Sequence, residues 1–277
     1  LTILPVIISI PHGGKTIPSE LKENFRLNEL DVLYDGDTWS DLLYNFEKRV
    51  LHTALMPIAR SVIDLNRMEV DLPPNNPDGL VKIHSIMSVP VWKRPLSVME
   101  VKSLLTMYYY PYYEALQSSV VLKKPQIGFD CHTMLANDPF NTTRTKRPLI
   151  CISNRGGLHG EALDTATTAP QALMLRFKTL LEKQFGVGNV LINSPFKGGE
   201  LIRRMHEITQ IPWIQIEVNR ALYMPERKLL TTKPDTQALL KMREINQKLY
   251  LAFEALLFPK DTLNESIISS QKEPSEY

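Results

Sequence analysis

The sequence predicts an α/β sandwich with a largely parallel sheet, and two patterns predict it. Short apolar runs rich in Val and Ile, each bounded by turn residues, recur along the 277 residues, and longer segments with apolar residues at helical spacing lie between them. Runs of that length are too short for helices and too continuously apolar for strands open to water, so they read as buried strands of one sheet.

In chain order, the first run, 3–10, contains Val6, Ile7, Ile8 and Ile10 and stops at Pro11, with His12, Gly13 and Gly14 behind it. Segment 38–50 has helical spacing and an acidic start, DGDTWSD, in which Asp37 can serve as the N-cap. Run 54–64 is the second strand, leading into IDLNR, and DLPPNNPDG at 71–79 has the Pro, Asn and Gly density of a surface loop. Segment 97–121 is helical, with Pro111 expected to kink or restart it. Runs 126–131 and 148–153 are strands, 170–185 a helix, 189–193 a strand, 199–209 a helix and 212–219 a strand. The last helix, 235–257, places Leu239, Leu240, Met242, Ile245, Leu249, Phe253 and Leu256 near a 3.6-residue period. There is no internal repeat and no clear linker, so residues 1–262 read as one domain and 263–277 as a flexible C-terminal tail.

Composition narrows the function. Lys and Arg total 32 against 30 Asp and Glu, and a net charge of +2 gives no general attraction to nucleic acid or to an anionic membrane. Only Cys131 and Cys151 are present, which leaves no disulfide framework and no paired-cysteine metal site. No apolar run approaches the roughly 20 residues that span a bilayer, and the apolar start lacks the charged leader and cleavage site of a signal peptide. The expected setting is therefore cytoplasmic, where the glycosylation sequons at Asn141 and Asn264 are chance matches.

In open α/β sheets ligands bind beyond the carboxyl ends of the strands, so polar residues there are the candidates for chemistry. His12 follows the first strand; Asp64, Asn66 and Arg67 follow the second; Asp130 and His132 end the third, in DCHTM; Glu217, Asn219 and Arg220 end the last, in IEVNR. With Asp35, Asp37 and Asp41 of the acidic helix start, these residues can build a mononuclear zinc site of two His and one carboxylate that leaves a position for water. A nearby Glu can take the water's proton, and arginines can grip a substrate carboxylate. Each piece has a plainer reading: a strand-end His as a structural group, Asp37 as a helix cap, Asn-Arg as a turn with a surface cation. Glu217 is harder to explain that way, because a carboxylate after WIQI is costly to bury without a partner.

Taken together, PHGGKTIP, DGDTWSDLLY, ARSVIDLNR, DCHTM, PFKGG and IQIEVNRALYM, in this order over roughly residues 6 to 224, resemble the N-formylglutamate amidohydrolase family. The resemblance implies the fold of the related zinc carboxypeptidases and aspartoacylases, a phosphorylase/hydrolase-like three-layer α/β/α sandwich around a mixed, largely parallel central sheet. It implies one zinc ion, with His12 and His132 as imidazole ligands. Where carboxypeptidase-like relatives carry a Glu ligand three residues after the first His, this chain has Lys15, so the carboxylate is sought in the acidic motif, at Asp37 in preference to Asp35. It further implies Glu217 as general base and acid, and Asn66 with Arg67 gripping the substrate's carboxylate or polarising its carbonyl. Arg60, Arg203 and Arg220 are then candidates for a second carboxylate, and the Gly198-Gly199 turn a source of N–H groups for an anion. Two positions depart from the family pattern: Gly13 where many members have Ser, and Tyr113 where many have His.

The leading expectation is zinc-dependent hydrolysis of the amide of an N-acyl amino acid, most simply N-formyl-L-glutamate to formate and L-glutamate. Its partner is that small molecule, with no nucleic acid and no membrane, and the oligomeric state is left open. The alternatives are a carboxypeptidase-like enzyme or another N-acyl amino acid amidase on the same site, a Cys131-dependent hydrolase, and a catalytically silent binding protein. Adjacent strand residues point to opposite faces, which speaks against Cys131 pairing with His132.

Overall fold

The computed structural model describes residues 2–139 and 146–259. The expected tail 263–277 and the sequons at Asn141 and Asn264 lie outside the described residues.

A six-stranded mixed sheet runs in the order β2-β1-β3-β6-β4-β5. Strands β1 (Leu4–Ile10), β2 (Val50–Leu55), β3 (Ile127–Met134) and β6 (Trp213–Asn219) are parallel, while β4 (Ile150–Ser153) runs antiparallel to β6 and β5 (Val190–Ile192) parallel to β4. Helices cover both faces, as expected for strands buried on both sides. On one face α5 (Gln171–Phe185), α7 (Thr236–Leu257) and the single turn α2 (Ser40–Leu43) enclose a core that takes Val6, Ile8, Ile10, Phe129, Cys131, Ile214, Ile216 and Val218 from the strands. The other face packs Ile7 and Trp213 against α3 (Val98–Leu104), α4 (Tyr110–Lys123) and α6 (Glu200–Thr209). The three layers and the mixed sheet are those the sequence leads one to expect. Among the described residues no helix is long and apolar enough to cross a membrane.

Two segments differ from expectation. Run 54–64 is not a strand throughout. β2 ends at Leu55, Pro57 has no N–H to extend a ladder, and the chain beyond makes only single bridges, Gly14 to Ala59 and Thr16 to Ile58. Segment 38–50 is not one helix. After α2 the Asn45 side chain accepts from Glu47 N, Glu47 has φ 50, and the chain passes through a short 3-10 turn, Glu47–Arg49, into β2. Before it, α1 (Glu29–Asp35) starts at Asn28, whose side chain accepts from Asp31 N at 2.9 Å. Pro111 does restart its helix: a five-residue π-helical stretch, Leu105–Tyr109, precedes α4, and Pro111 lies in the first turn of α4, where its missing N–H is tolerated.

Candidate active site

Alternation along the strands builds the site. Ser9 pairs with Asp130, Asp130 with Gln215, and His132 with Glu217 across β1, β3 and β6, so these side chains share one face while Phe129, Cys131 and Ile216 fill the core on the other. The polar row opens at the carboxyl edge into a cavity of about 820 Å³. His12 reaches it from the end of β1. Asp37 reaches it from the loop after α1, whose backbone N–H donates to the His12 carbonyl at 3.0 Å. α2 is pinned nearby by Tyr44, whose hydroxyl donates to the His132 carbonyl at 2.6 Å.

His12, Asp37 and His132 are all buried and form a group able to hold a metal ion, their ligand atoms lying within 4.8 Å of one another. His132 Nδ1 is 3.1 Å from His12 Nδ1 and 3.1 Å from Asp37 Oδ2, and His12 Nδ1 is 3.7 Å from Asp37 Oδ2. Ligands bound tetrahedrally at about 2.0–2.1 Å stand roughly 3.3 Å apart, so the triangle has the right size for a zinc-sized ion. The donor chemistry fits as well. His12 Nε2 lies 2.8 Å from Asp64 Oδ1 and His132 Nε2 lies 2.8 Å from Asp130 Oδ2. An imidazole that gives its Nε2 proton to a carboxylate presents a bare Nδ1 lone pair, and here two such lone pairs and a carboxylate oxygen converge.

The supporting shell is buried too. Asp64 also accepts from Asn66 N at 2.9 Å and from Arg60 Nε at 3.0 Å, and Asp130 accepts from Ser9 Oγ at 3.0 Å. Burial alone would raise the Asp64 carboxyl, but His12, Arg60 and Arg67 outweigh it and hold it well below the usual range. Burial likewise opposes charge on His132, yet Asp130 and Asp37 keep that imidazole well above its ordinary value. Asp37 is lowered: burial opposes, and its hydrogen bonds to His12 and His132 prevail. Glu217, 6 % exposed, goes the other way, pushed up to about 7 by burial. Its Oε1 accepts from Gln215 Nε2 at 2.9 Å.

The other expected residues divide. Asn66, Arg60, Arg67 and Arg220 line the cavity; Arg60 gives Nε to Asp64 and Nη1 to the Asp35 carbonyl, and the other three spend their polar groups on protein partners. Asn66 accepts from Leu201 N at 2.9 Å, and its amide points to Gln215 Oε1 and His132 Nε2 at 3.3 and 3.4 Å. Gly199 makes this possible, because a Cβ there would stand 2.0 Å from Asn66 Oδ1. The start of α6 is thereby taken: Asn66 caps Leu201 N, and Gly199 N donates to Gln215. Arg220 is spent on the Tyr34 and Gly36 carbonyls, on Thr133 and, at 3.2 Å, on Asp37 Oδ1. It therefore holds the acidic loop in place.

Arg203 stands outside the cavity lining. Its guanidinium clasps Glu200 and Glu207 on its own helix at 2.6–2.8 Å, and half-exposed i,i+3 and i,i+4 pairs of this kind form without a ligand. Asp35 lines the cavity but does not belong to the metal group, and its Oδ1 accepts from Ile86 N at 2.7 Å. Lys15 pairs with Asp41 at 3.5 Å. Gly14 is needed because its backbone abuts that of Met56 and Pro57, where a Cβ would come within 2.3 Å, and neither it nor Gly13 lines the cavity. Tyr113 donates to the Leu65 carbonyl at 2.7 Å and so braces the loop that holds Asp64. Cys131 faces the apolar core, where burial raises its thiol far above the ordinary value, so it cannot serve as a nucleophile beside His132.

Asp64 and Asp130 are among the strand-end candidates of the sequence without a specific role there, and Gln215 is not among them. The D-x-H spacing in β3 was a usable signal, since residues two apart on a strand share a face. Asp64 stood among the strand-end residues of IDLNR, but nothing in the sequence joined it to a histidine 52 positions away.

Residues 4–224 match the sequence profile of the N-formylglutamate amidohydrolase family. An N-formylglutamate amidohydrolase from Ralstonia eutropha JMP134 superposes with a TM-score of 0.71 at 22 % identity, covering 92 % of this chain and 95 % of that one. The gene product Atu2144 from Agrobacterium tumefaciens gives 0.59 at 14 % identity, covering 91 % and 90 %. At these identities the likeness is one of fold. No curated protein is a significant match to the sequence. With the family profile spanning most of its length, the chain belongs to the N-formylglutamate amidohydrolase family, whose members hydrolyse amides.

Proposed function

We propose that this chain is a zinc-dependent hydrolase of N-acyl amino acids, with N-formyl-L-glutamate, cleaved to formate and L-glutamate, as its substrate. The observation that carries the reading is the buried triangle of His12, Asp37 and His132 with Glu217 paired beside His132 on the same face of the sheet. A divalent ion held by those three ligands would supply Lewis acidity to the amide carbonyl and to water. Glu217 acts as the base. Its free carboxylate oxygen takes a proton from the attacking water as the C–O bond forms, and returns it to the amide nitrogen as the C–N bond breaks, leaving a carboxylic acid and an amine. Burial opposes charge on Glu217, which favours its holding the proton between the two halves of that task. Arg67 lines the cavity wall, and with Asn66, Arg60 and Arg220 it supports the frame in which substrate sits.

A larger acyl amino acid on the same site is the second reading. It is favoured by the cavity, whose 820 Å³ lies toward the upper end of the roughly 300–1,000 Å³ usual for small-molecule pockets. The deciding experiment measures hydrolysis of N-formyl-L-glutamate, N-acetyl-L-glutamate, N-formyl-L-methionine and short peptides by zinc-loaded protein, with and without a chelator. Turnover of formylglutamate that a chelator abolishes is expected. Cleavage of peptides alone would remove the deformylase assignment, and chelator-resistant turnover would remove the metal.

A further inference from the structure

A donor account of the cavity arginines singles out a residue that the sequence reading passed over. Arg60 gives its Nε to Asp64 and an Nη to the Asp35 carbonyl, and Arg67 closes on the Asp78 carbonyl, the Asp78 carboxylate and the Asn66 carbonyl. Arg220 is filled by Asp37, Thr133 and main-chain carbonyls. Arg147 is different. It lines the same cavity, its side chain is only 13 % exposed, and its Nε is buried with no hydrogen-bond partner among the described residues. Its nearest carboxylate oxygen, Asp138 Oδ1, is 3.7 Å from Nη2, beyond hydrogen-bond length, on a side chain 41 % exposed.

The position is nevertheless held. Arg147 N donates to the Ala136 carbonyl at 3.0 Å, its own carbonyl accepts from Asn219 Nδ2 at 3.3 Å, and the guanidinium lies 5.0 Å from the ring centre of Phe196, another cavity residue. Burial pulls this arginine's pKa below its usual value, with Asp138 and Glu217 opposing. Neither Nη makes a hydrogen bond among the described residues, and a carboxylate in the cavity that accepts from them would complete the partners of this largely buried guanidinium.

We propose that Arg147 is the specificity residue that binds a carboxylate of the acylated amino acid. The proposal rests on the N-acyl amino acid reading above, and it puts carboxylate recognition on the β4 side of the cavity, near Glu217.

The test titrates zinc-loaded wild type, Arg147→Lys and Arg147→Met with glutarate, a dicarboxylate with no amide, by calorimetry. Zinc content and thermal midpoint are measured alongside. Arg147→Met should bind glutarate about 10- to 100-fold more weakly, the span expected for losing a charge-assisted hydrogen bond. Arg147→Lys, which keeps the charge but not the planar fork, should fall between and remains informative should the Met variant not fold. In turnover, KM for formylglutamate should rise by a similar factor with kcat within about threefold of wild type. Glutarate affinity unchanged in both variants, no glutarate binding by wild type, or a fall in kcat at constant KM would each overturn the proposal. Wild type that binds glutarate through Arg147 but leaves formylglutamate intact would sink the proposed substrate and leave this assignment standing.

Discussion

Glu217 and Asp130 lie on neighbouring strands and are both buried carboxylates, yet their surroundings assign them opposite work. Both oxygens of Asp130 are bonded, to Ser9 and His132, whereas Gln215 bonds one oxygen of Glu217 and the other has no hydrogen-bond partner among the described residues. Replacing Glu217 by Gln should leave zinc affinity near wild type and lower kcat by about 10²–10⁴-fold, the usual worth of a general base. Asp130→Asn should do the reverse, weakening zinc about 10- to 100-fold in competition with a chromophoric chelator. Equal loss of metal in both variants would refute the division of roles. That His12, Asp37 and His132 come together was legible because each belongs to a short strand-end or helix-start motif. The commitments of Asn66 and Arg220 were not, since donor satisfaction there is fixed by tertiary neighbours up to 186 positions away, whereas the glutamates that hold Arg203 stand three and four residues from it.

Among the elements, those with a complete local signal were readable. α5, α6 and α7 fall within a residue of their expected limits, and α3 begins at Ser97 with a capping box to Glu100. Hydrogen bonds from Arg94 first, then from Ser97, lower Glu100 from 4.5 to about 2. Because the folded value is the depressed one, the stability from this carboxylate is complete above pH 4.5 and disappears as pH falls toward 2. Glu100→Gln should therefore lower the thermal midpoint at pH 7 by about 1–2 °C, a small effect because the pair is exposed to solvent, and the gap should close on acidification. A gap independent of pH would show that shape, not charge, does the capping. Segments 38–50 and 54–64 misled because their apolar residues face the core from turns: Leu43, Tyr44 and Phe46 are buried without forming a continuous helix, as are Ala59, Val62 and Ile63 without a strand. Burial imposes apolarity whatever the backbone does, and periodicity cannot tell the cases apart over so few residues.

At the scale of the molecule, the layered α/β architecture followed from alternating runs and helices, while the direction of β4 did not, because a four-residue buried strand carries no mark of its orientation. The metal group joins parts of the chain remote in sequence: the end of β1, the loop after α1 and β3. An ion bound there ties these segments together in the folded state only. At a hundredfold excess over its Kd it adds about 2.7 kcal/mol, so chelation should lower the thermal midpoint by about 5–10 °C in differential scanning calorimetry. A midpoint indifferent to zinc would mean that the triangle does not bind it.

The alternation that puts His132 and Glu217 on one face and Cys131 and Ile216 on the other also governs which genetic changes the fold can absorb. Substitution alters one side chain at a time and leaves the rest of the row in place. Loss or gain of a single codon before His132 within β3 would instead turn the rest of the strand over, sending His132 into the oily layer and Cys131 toward the cavity. Length variation among descendants of this gene should accordingly concentrate in loops such as 71–79, and the spacing inside β3 and β6 should be inherited as a unit.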